Sequence, residues 1–154
     1  MSEPTHPWQF SLELHPDQPP LSHQDRSLVA GAVGYFDRER YALHAWAVLD
    51  RSVHVVFSPT PTWRPSELAA GWRRFTTTVL AESPFRAATV WRGEGALRVL
   101  EAGAPARAAC REVLALPRGH FPSGRGYGWV SAAVLAAEVL DQASRVAEAR
   151  AVAS

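Results

Sequence analysis

Two runs of alternating apolar and polar residues, separated only by Asp50–Arg51, constrain the fold of this chain most strongly. They are RYALHAWAVL (40–49) and SVHVVF (52–57). Because the side chains of a strand point alternately to its two faces, both runs predict strands, and the short connection predicts an antiparallel hairpin. The turn lacks the favoured Asn-Gly or Asp-Gly pair, so the register is open. If Leu49 pairs with Ser52, Ala47 lies opposite His54.

That register assigns each side chain of the hairpin to a face of the sheet. We expect one face to carry Tyr41, Leu43, Ala45, Ala47, Leu49, Ser52, His54 and Val56. We expect the other face to carry His44, Trp46, Val48, Val53, Val55 and Phe57.

The remaining pattern alternates strands with helices. It predicts a strand over 8–14, a helix capped by Ser22, a helix over 66–81, strands at 88–93 and 96–101, and a helix over 104–116 that Pro117 ends. A Gly/Pro-rich loop over 117–129 and an amphipathic helix over 130–153 follow. The apolar stripe of the 66–81 helix is expected to comprise Leu68, Trp72, Phe75 and Val79. This order predicts a single α+β domain over 1–154.

Composition limits the class of protein. The 154 residues are 47% hydrophobic, and no apolar run approaches the roughly 20 residues that span a membrane. The first ten residues lack the layout of a signal peptide, so we expect a cytoplasmic protein. Sixteen arginines, with no lysine, face fifteen acidic residues, giving a net charge of +1. That charge is low for a nucleic-acid partner, since phosphate neutralisation supplies much of such affinity.

Several phrases occur in an order that resembles a known family. They are HAWAVLDRSVHVVFSP (44–59), GWRRFTTT (71–78), VWRGEGALR (90–98), EVLALP (112–117) and GYGWVS (126–131). The order and spacing resemble the REP-associated tyrosine transposases, in the insertion-sequence class of HUH single-strand endonucleases. The resemblance covers about 21–131 and leaves 132–154 as a helical extension. It implies a ferredoxin-like antiparallel sheet with helices packed on one face.

The family's chemistry uses a His-x-His pair that holds a divalent metal and a helix tyrosine that attacks a DNA phosphate. Here Ser52 stands at the first histidine position and only His54 remains. Glu112 aligns with the tyrosine, Leu116 with a metal-supporting amide, and Leu97 with the aspartate of an Asp-Arg pair. One imidazole and one hydroxyl make a poor site for a divalent ion. We therefore expect no metal, no cofactor and no tyrosine-nuclease activity, with a residual metal nuclease as a distant third alternative.

His54, Ser52 and Glu112 are the candidate catalytic residues. His54 is either an ordinary residue of a half-buried strand, with its hydrogen bonds made within the fold, or an acid/base group at the floor of what was the nuclease active site. Side chains two apart on a strand are about 6–7 Å apart, so a direct bond between Ser52 and His54 is not expected. Glu112 lies either on a solvated helix face or opposite His54, where the two could act on a small molecule.

Arginines and tryptophans are the candidate DNA- or ligand-binding residues. The set is Arg73, Arg74, Trp91, Arg92, Arg98 and Trp129. Exposure on a solvated face explains the arginines nearly as well as DNA binding does. Packing in the core explains the tryptophans better than stacking on bases does. Two hypotheses follow: a domesticated, nuclease-dead protein that binds hairpin or single-stranded DNA, or a metal-free small-molecule enzyme built on His54. The amphipathic tail is compatible with a homodimer.

Overall fold

Four strands and three helices form the part of the chain that the computed structural model describes, which is residues 6–82, 86 and 89–120, with only the backbone for 118–120. The elements are β1 (Trp8–Glu13), α1 (His23–Gly34), β2 (Tyr41–Val48), β3 (Ser52–Pro59), α2 (Pro65–Ala81), β4 (Ala96–Val99) and α3 (Ala104–His120). The predicted loop beyond His120, the predicted helix over 130–153 and Trp129 lie outside these residues.

The strands form one antiparallel sheet in the order β2-β3-β1-β4. With α1 joining β1 to β2 and α2 joining β3 to β4, this is the ferredoxin-like arrangement, and the predicted fold class is confirmed. The two helices pack together on one face of the sheet, here called the helical face. α3 lies against the other face, over β2 and β3, here called the α3 face.

The hairpin has the predicted register at its turn and a different one at its open end. Ala47 lies opposite His54, and the amide of Leu49 donates to the carbonyl of Ser52 at 2.8 Å. A β-bulge between Leu43 and Ala45 then inserts one extra residue. Because a one-residue shift inverts the alternation, Leu43 turns to the helical face and His44 turns to the α3 face. The predicted faces are therefore wrong for Tyr41, Leu43 and His44.

The main core lies between the sheet and the helical pair. Trp72 of α2 is at its centre, with ring centroids 4.8 Å from both Phe57 and Tyr41. Full burial of such side chains contributes about 2–3 kcal/mol each. The buried stripe of α2 is rotated from the predicted one, since Thr76 and Leu80 face the core while Val79 is half-buried and Phe75 is 43% exposed. Thr76 is accommodated because its hydroxyl donates to the Trp72 carbonyl at 2.7 Å.

A smaller core of short side chains holds α3 against the sheet. Ala45, Ala47 and Val56 of the hairpin meet Ala109 and Cys110 of α3, all at most 3% exposed. Small residues on both sides let the helix backbone approach the sheet closely. The helix continues through Pro117 to His120, so the prediction that Pro117 ends α3 is wrong. A proline removes one backbone donor from a helix. Here Pro117 lies inside α3 and its ring is buried.

α1 begins at His23, directly after Ser22, the N-cap that the sequence predicts. The Ser22 hydroxyl accepts from the amide of Asp25 at 3.1 Å, and the Asp25 carboxylate accepts from the amide of Ser22 at 3.0 Å. This capping box satisfies two amides that the first turn would leave without partners. The Asp25 carboxylate also accepts from the Arg86 guanidinium at 2.5 Å. α1 is therefore tied to the segment between α2 and β4.

Of the predicted strand over 88–93, the described residues 89–93 form a single bridge, between Trp91 and Leu14. Gly93 and Gly95 both have positive φ, at 65° and 86°, and these turns prevent a continuous hairpin with β4. Within the described residues, no helix has the length and apolar character required to cross a bilayer.

Candidate functional site

Ser52 and His54 form a hydrogen-bonded pair on the α3 face of β3. Their separation is 3.0 Å between the hydroxyl oxygen and the imidazole Nε2, and both side chains are half-buried. The prediction that Ser52 and His54 form no direct bond is wrong. The rise of the strand separates the two Cα atoms, but the imidazole reaches along the strand and covers the gap.

The strand β1 borders this pair with further polar residues. Ser11 lies opposite His54 and Glu13 lies opposite Ser52. Gln9 lies two residues before Ser11 on the same strand. Its side-chain oxygen accepts hydrogen bonds from Arg98 Nε at 3.0 Å and from Arg98 Nη2 at 2.6 Å. α3 packs chiefly on β2 and β3. The polar side of this face therefore lies on β1 and β4, beside the Ser52–His54 pair.

Sequence reasoning did not include the β1 residues in the site. Glu13 is exposed and stands next to Ser52 across the strands, a carboxylate on the sheet itself. The pairing of β1 with β3 joins residues about forty apart in the chain, and no local pattern reports such a register. The alternation of WQFSLEL indicates a strand, but it does not indicate which strand it pairs with.

A second serine–histidine pair lies on the same face, towards the open end of the hairpin. His44 Nε2 is 2.7 Å from the Ser58 hydroxyl, and both residues are half-buried. Burial lowers the pKa of His44 below its usual value of 6.5, and the charge of Asp37 only partly opposes this. The bulge places His44 here, so a reading of the hairpin as two regular strands assigns this histidine to the wrong face.

Glu112 lies on the exposed side of α3. The helix buries Ala109, Cys110 and Val113 against the sheet. A helix turns by about 100° per residue, which places Glu112 about a third of a turn away from the centre of that stripe. The structure therefore places Glu112 on a solvated side of α3, and its role in the site remains a prediction.

The candidate binding residues are spread over several surfaces. Trp91 is 3% exposed, and its indole donates to the Thr76 hydroxyl at 2.9 Å. It is a core residue, because the bridge to Leu14 turns it beneath α2. Arg73 and Arg74 are exposed on α2, Arg92 is exposed beside the Gly93 turn, and Arg98 lies on the α3 face. The structure therefore does not align these four arginines into one track.

Candidate metal ligands are sparse in this part of the molecule. Among residues 6–82, 86 and 89–117, no group of three or more histidine, cysteine, aspartate or glutamate side chains is arranged to hold an ion. Ser52 and His54 contribute one imidazole and one hydroxyl, and Cys110 of α3 is buried against the sheet. The expectation that the chain holds no metal remains a prediction.

Comparisons with known proteins place the chain by its fold. No protein-family model matches it, and no curated protein matches it. The chain is similar to a solved structure, that of a REP-associated tyrosine transposase bound to a REP hairpin. The match covers 79% of this chain and 72% of that chain, with a TM-score of 0.64 and 15% sequence identity. The two proteins share a fold, whereas membership of the family and the degenerate motif remain predictions.

Proposed function

We propose that this chain is a transposase-like domain that binds hairpin or single-stranded DNA and no longer cuts it. Its fold is that of a protein solved with a DNA hairpin bound. The proposal that the chain no longer cuts DNA rests on the 3.0 Å hydrogen bond between Ser52 and His54. The Ser52 hydroxyl is hydrogen-bonded to the His54 imidazole. Ser52 stands where the resemblance implies the first histidine of the metal-binding pair.

The residue that would replace the nucleophile supports the same conclusion. Glu112 aligns with the family's tyrosine, and it is exposed on α3 about a third of a turn from the buried stripe. A carboxylate in that place lacks the phenol that forms a stable phosphodiester link with DNA. Metal binding and the covalent step are therefore both expected to be absent.

The charge distribution predicts modest affinity for DNA. The exposed arginines lie on separate surfaces, and the chain as a whole carries a net charge of +1. Phosphate contacts dominate non-specific affinity and weaken as counterions compete. We expect binding that is clear at low ionic strength and falls steeply as salt is added.

The experiment uses the full chain with a fluorescent DNA hairpin that carries a single-stranded flank. Anisotropy titrations over a series of salt concentrations should show salt-dependent binding. Incubation with Mg²⁺ or Mn²⁺ should give neither cleavage of the flank nor a covalent protein–DNA adduct on a denaturing gel. Failure to bind at the lowest salt overturns the proposed function, whereas an adduct overturns the loss of nuclease activity alone.

A metal-free small-molecule enzyme built on His54 is the second candidate. The direct contact between Ser52 and His54 favours it, because a hydroxyl bonded to an imidazole can be activated as a nucleophile. Glu112 adds less support, since its side chain is exposed outside the stripe that α3 buries against the sheet. A fluorophosphonate probe should label Ser52 in the wild type and fail to label the His54→Ala variant. An unlabelled wild type, or equal labelling of both proteins, contradicts this candidate.

A further inference from the structure

A cavity of about 270 Å³ opens between α1 and α2, on the opposite side of the sheet from the Ser52–His54 pair. We call it the aromatic groove. Its walls include Phe36, Trp63, Phe75 and the two arginines Arg40 and Arg74. The helix α2 has a glycine here, Gly71, and a Cβ at that position would meet no atom within 4 Å. The groove exists in part because α2 presents no side chain at that point.

Aromatic rings at the edge of the groove are exposed to an unusual degree. Phe75 of the lining is 43% exposed, and Tyr35, which is not in the lining but contacts it, is 67% exposed, with the two ring centroids 5.9 Å apart. Phe36 extends the cluster, since its ring meets Tyr35 edge-on with centroids 4.7 Å apart. Single exposed apolar residues are common, but a contiguous exposed cluster at a cavity marks a binding surface.

Positive charge is built into the same groove. The Arg40 guanidinium lies 3.4 Å from the ring centre of Phe36 and 4.3 Å from that of Trp63, so it is held between two aromatic rings. Arg74, on α2, also lines the groove. The acidic residue of the lining, Glu67, lies 3.8 Å from Arg64 outside it. The lining therefore carries two arginines and one glutamate, and the glutamate has an arginine partner.

Exposed aromatic faces beside fixed guanidinium groups match the chemistry of single-stranded nucleic acid. Unpaired bases stack on aromatic rings, and arginine forks bind phosphates. The volume lies just below the range of about 300–1,000 Å³ that is typical of small-molecule sites. That space suits one or two unstacked bases and is too small for a duplex.

We propose that the aromatic groove binds single-stranded DNA, with a base stacked on Tyr35 and Phe75 and adjacent phosphates on Arg40 and Arg74. This inference rests on the proposed function and adds the location of the unpaired strand. That location is the helical side of the sheet, away from the Ser52–His54 pair. Of the arginines that the sequence suggested, only Arg74 belongs to it.

The experiment compares variants of the full chain by anisotropy with a labelled thymidine homopolymer. Tyr35→Ala and Phe75→Ala should each weaken binding by about 5- to 150-fold, the range for loss of one stacked base. Arg74→Ala should weaken binding and reduce the slope of log affinity against log salt by about 0.7. Phe75→Trp retains a stacking surface and should keep affinity within about twofold of the wild type.

Two controls match these changes outside the groove. Leu28→Ala removes an apolar side chain of α1 that is 38% exposed, and Arg111→Ala removes an exposed arginine of α3, on the other side of the sheet. Both should leave affinity within about twofold of the wild type. Photo-crosslinking of an oligonucleotide that carries 5-iodouracil should join it to peptides containing Tyr35, Trp63 or Phe75. Circular dichroism melts establish that each variant is folded.

The possible results distinguish failure of the groove proposal from failure of the proposed DNA-binding function. If the wild type binds DNA while Tyr35→Ala and Phe75→Ala keep its affinity, the groove proposal is overturned and the proposed function stands. An equal loss in Leu28→Ala also overturns the groove proposal, because the effect is then not specific to it. If the wild type binds no DNA at low salt, the proposed function fails and the groove proposal fails with it.

Discussion

The imidazole Nε2 of His54 lies 3.0 Å from the hydroxyl oxygen of Ser52, on one face of β3. Residues two apart on a strand share a face, so these two groups point to the same side. If both were imidazoles, they could hold one ion between them. A serine at the first position leaves a hydrogen bond in place of that chelating pair.

This relationship predicts that the single change Ser52→His introduces metal binding. The new imidazole would stand beside His54 on the same face, and two imidazoles should bind Zn²⁺ at least about tenfold more tightly than one. Isothermal titration calorimetry measures the gain. Ser66→His is the control, because it adds an imidazole at an exposed position on α2. Equal affinities in the two variants would show that the strand does not orient the pair for chelation.

A second prediction concerns the contact between Asp25 and Arg86. Their side chains are 12% and 2% exposed, and the guanidinium Nη2 lies 2.5 Å from the carboxylate. Asp25→Asn removes the negative charge and leaves Arg86 buried beside a neutral amide. Breaking such a buried pair costs about 3–5 kcal/mol. Urea denaturation at neutral pH measures the change in the free energy of unfolding.

The same carboxylate should make the protein sensitive to acid. Burial tends to raise the pKa of Asp25, but hydrogen bonds from Arg86 and Ser22 lower it below its usual value of 3.8. A lowered pKa contributes stability that is complete above the unfolded value and is lost as the pH falls through the folded value. The wild type should therefore lose stability below about pH 4, and Asp25→Asn should lose less of it there. Asp17→Asn changes an acid that is 91% exposed, and it should cost less than about 1 kcal/mol.

A fourth prediction concerns the titration of His44. Burial lowers its pKa below 6.5, so the folded protein resists protonation of this imidazole more than the unfolded chain does. Stability is therefore complete above about pH 6.5 and falls as the pH drops towards the folded pKa. NMR titration of the imidazole protons should give a midpoint for His44 below 6.5. In His44→Gln, the loss of stability between about pH 6.5 and 5 should be smaller. A midpoint above 6.5 contradicts the burial argument.

The parts of the fold that local chemistry dictates were predictable. Ser22 has the residue type of an N-cap, and α1 begins directly after it. Alternation around Asp50–Arg51 correctly placed Ala47 opposite His54. The bulge at His44 was not predictable, because nothing in the local pattern records an inserted residue.

The site shows the same division between local and tertiary information. The spacing of Ser52 and His54 correctly placed them on one face, but the direct bond depends on how the imidazole packs. The orientation of Glu112 depends on the rotation of α3, which is set by Ala109 and Val113 packing on β2 and β3. The aromatic groove joins residues from α1, α2 and the loops around them, so only the assembled fold brings them together.

The last prediction concerns Gly95, where the chain passes very close to β1. Its φ is +86°, and a Cβ would lie 2.6 Å from the carbonyl oxygen of Ser11 and 2.7 Å from the Phe10 ring. The positive φ costs a non-glycine residue about 1–2 kcal/mol, and the overlap adds a further 1–3 kcal/mol or so. Since the Ser11 oxygen belongs to the strand backbone, it cannot move away without disturbing the sheet. Gly95→Ala should therefore destabilise the protein by about 3 kcal/mol in urea denaturation.

Gly93→Ala supplies the matched control. Gly93 also has positive φ, at 65°, but a Cβ there would meet no atom within 4 Å. This variant should lose only about 1–2 kcal/mol, the conformational part of the cost. Because Phe10 pairs with Leu97, Gly95→Ala should also speed amide hydrogen exchange in β4, which Gly93→Ala should not do. Equal destabilisation of the two variants would show that φ alone, and not the approach to Ser11, requires the glycine at position 95.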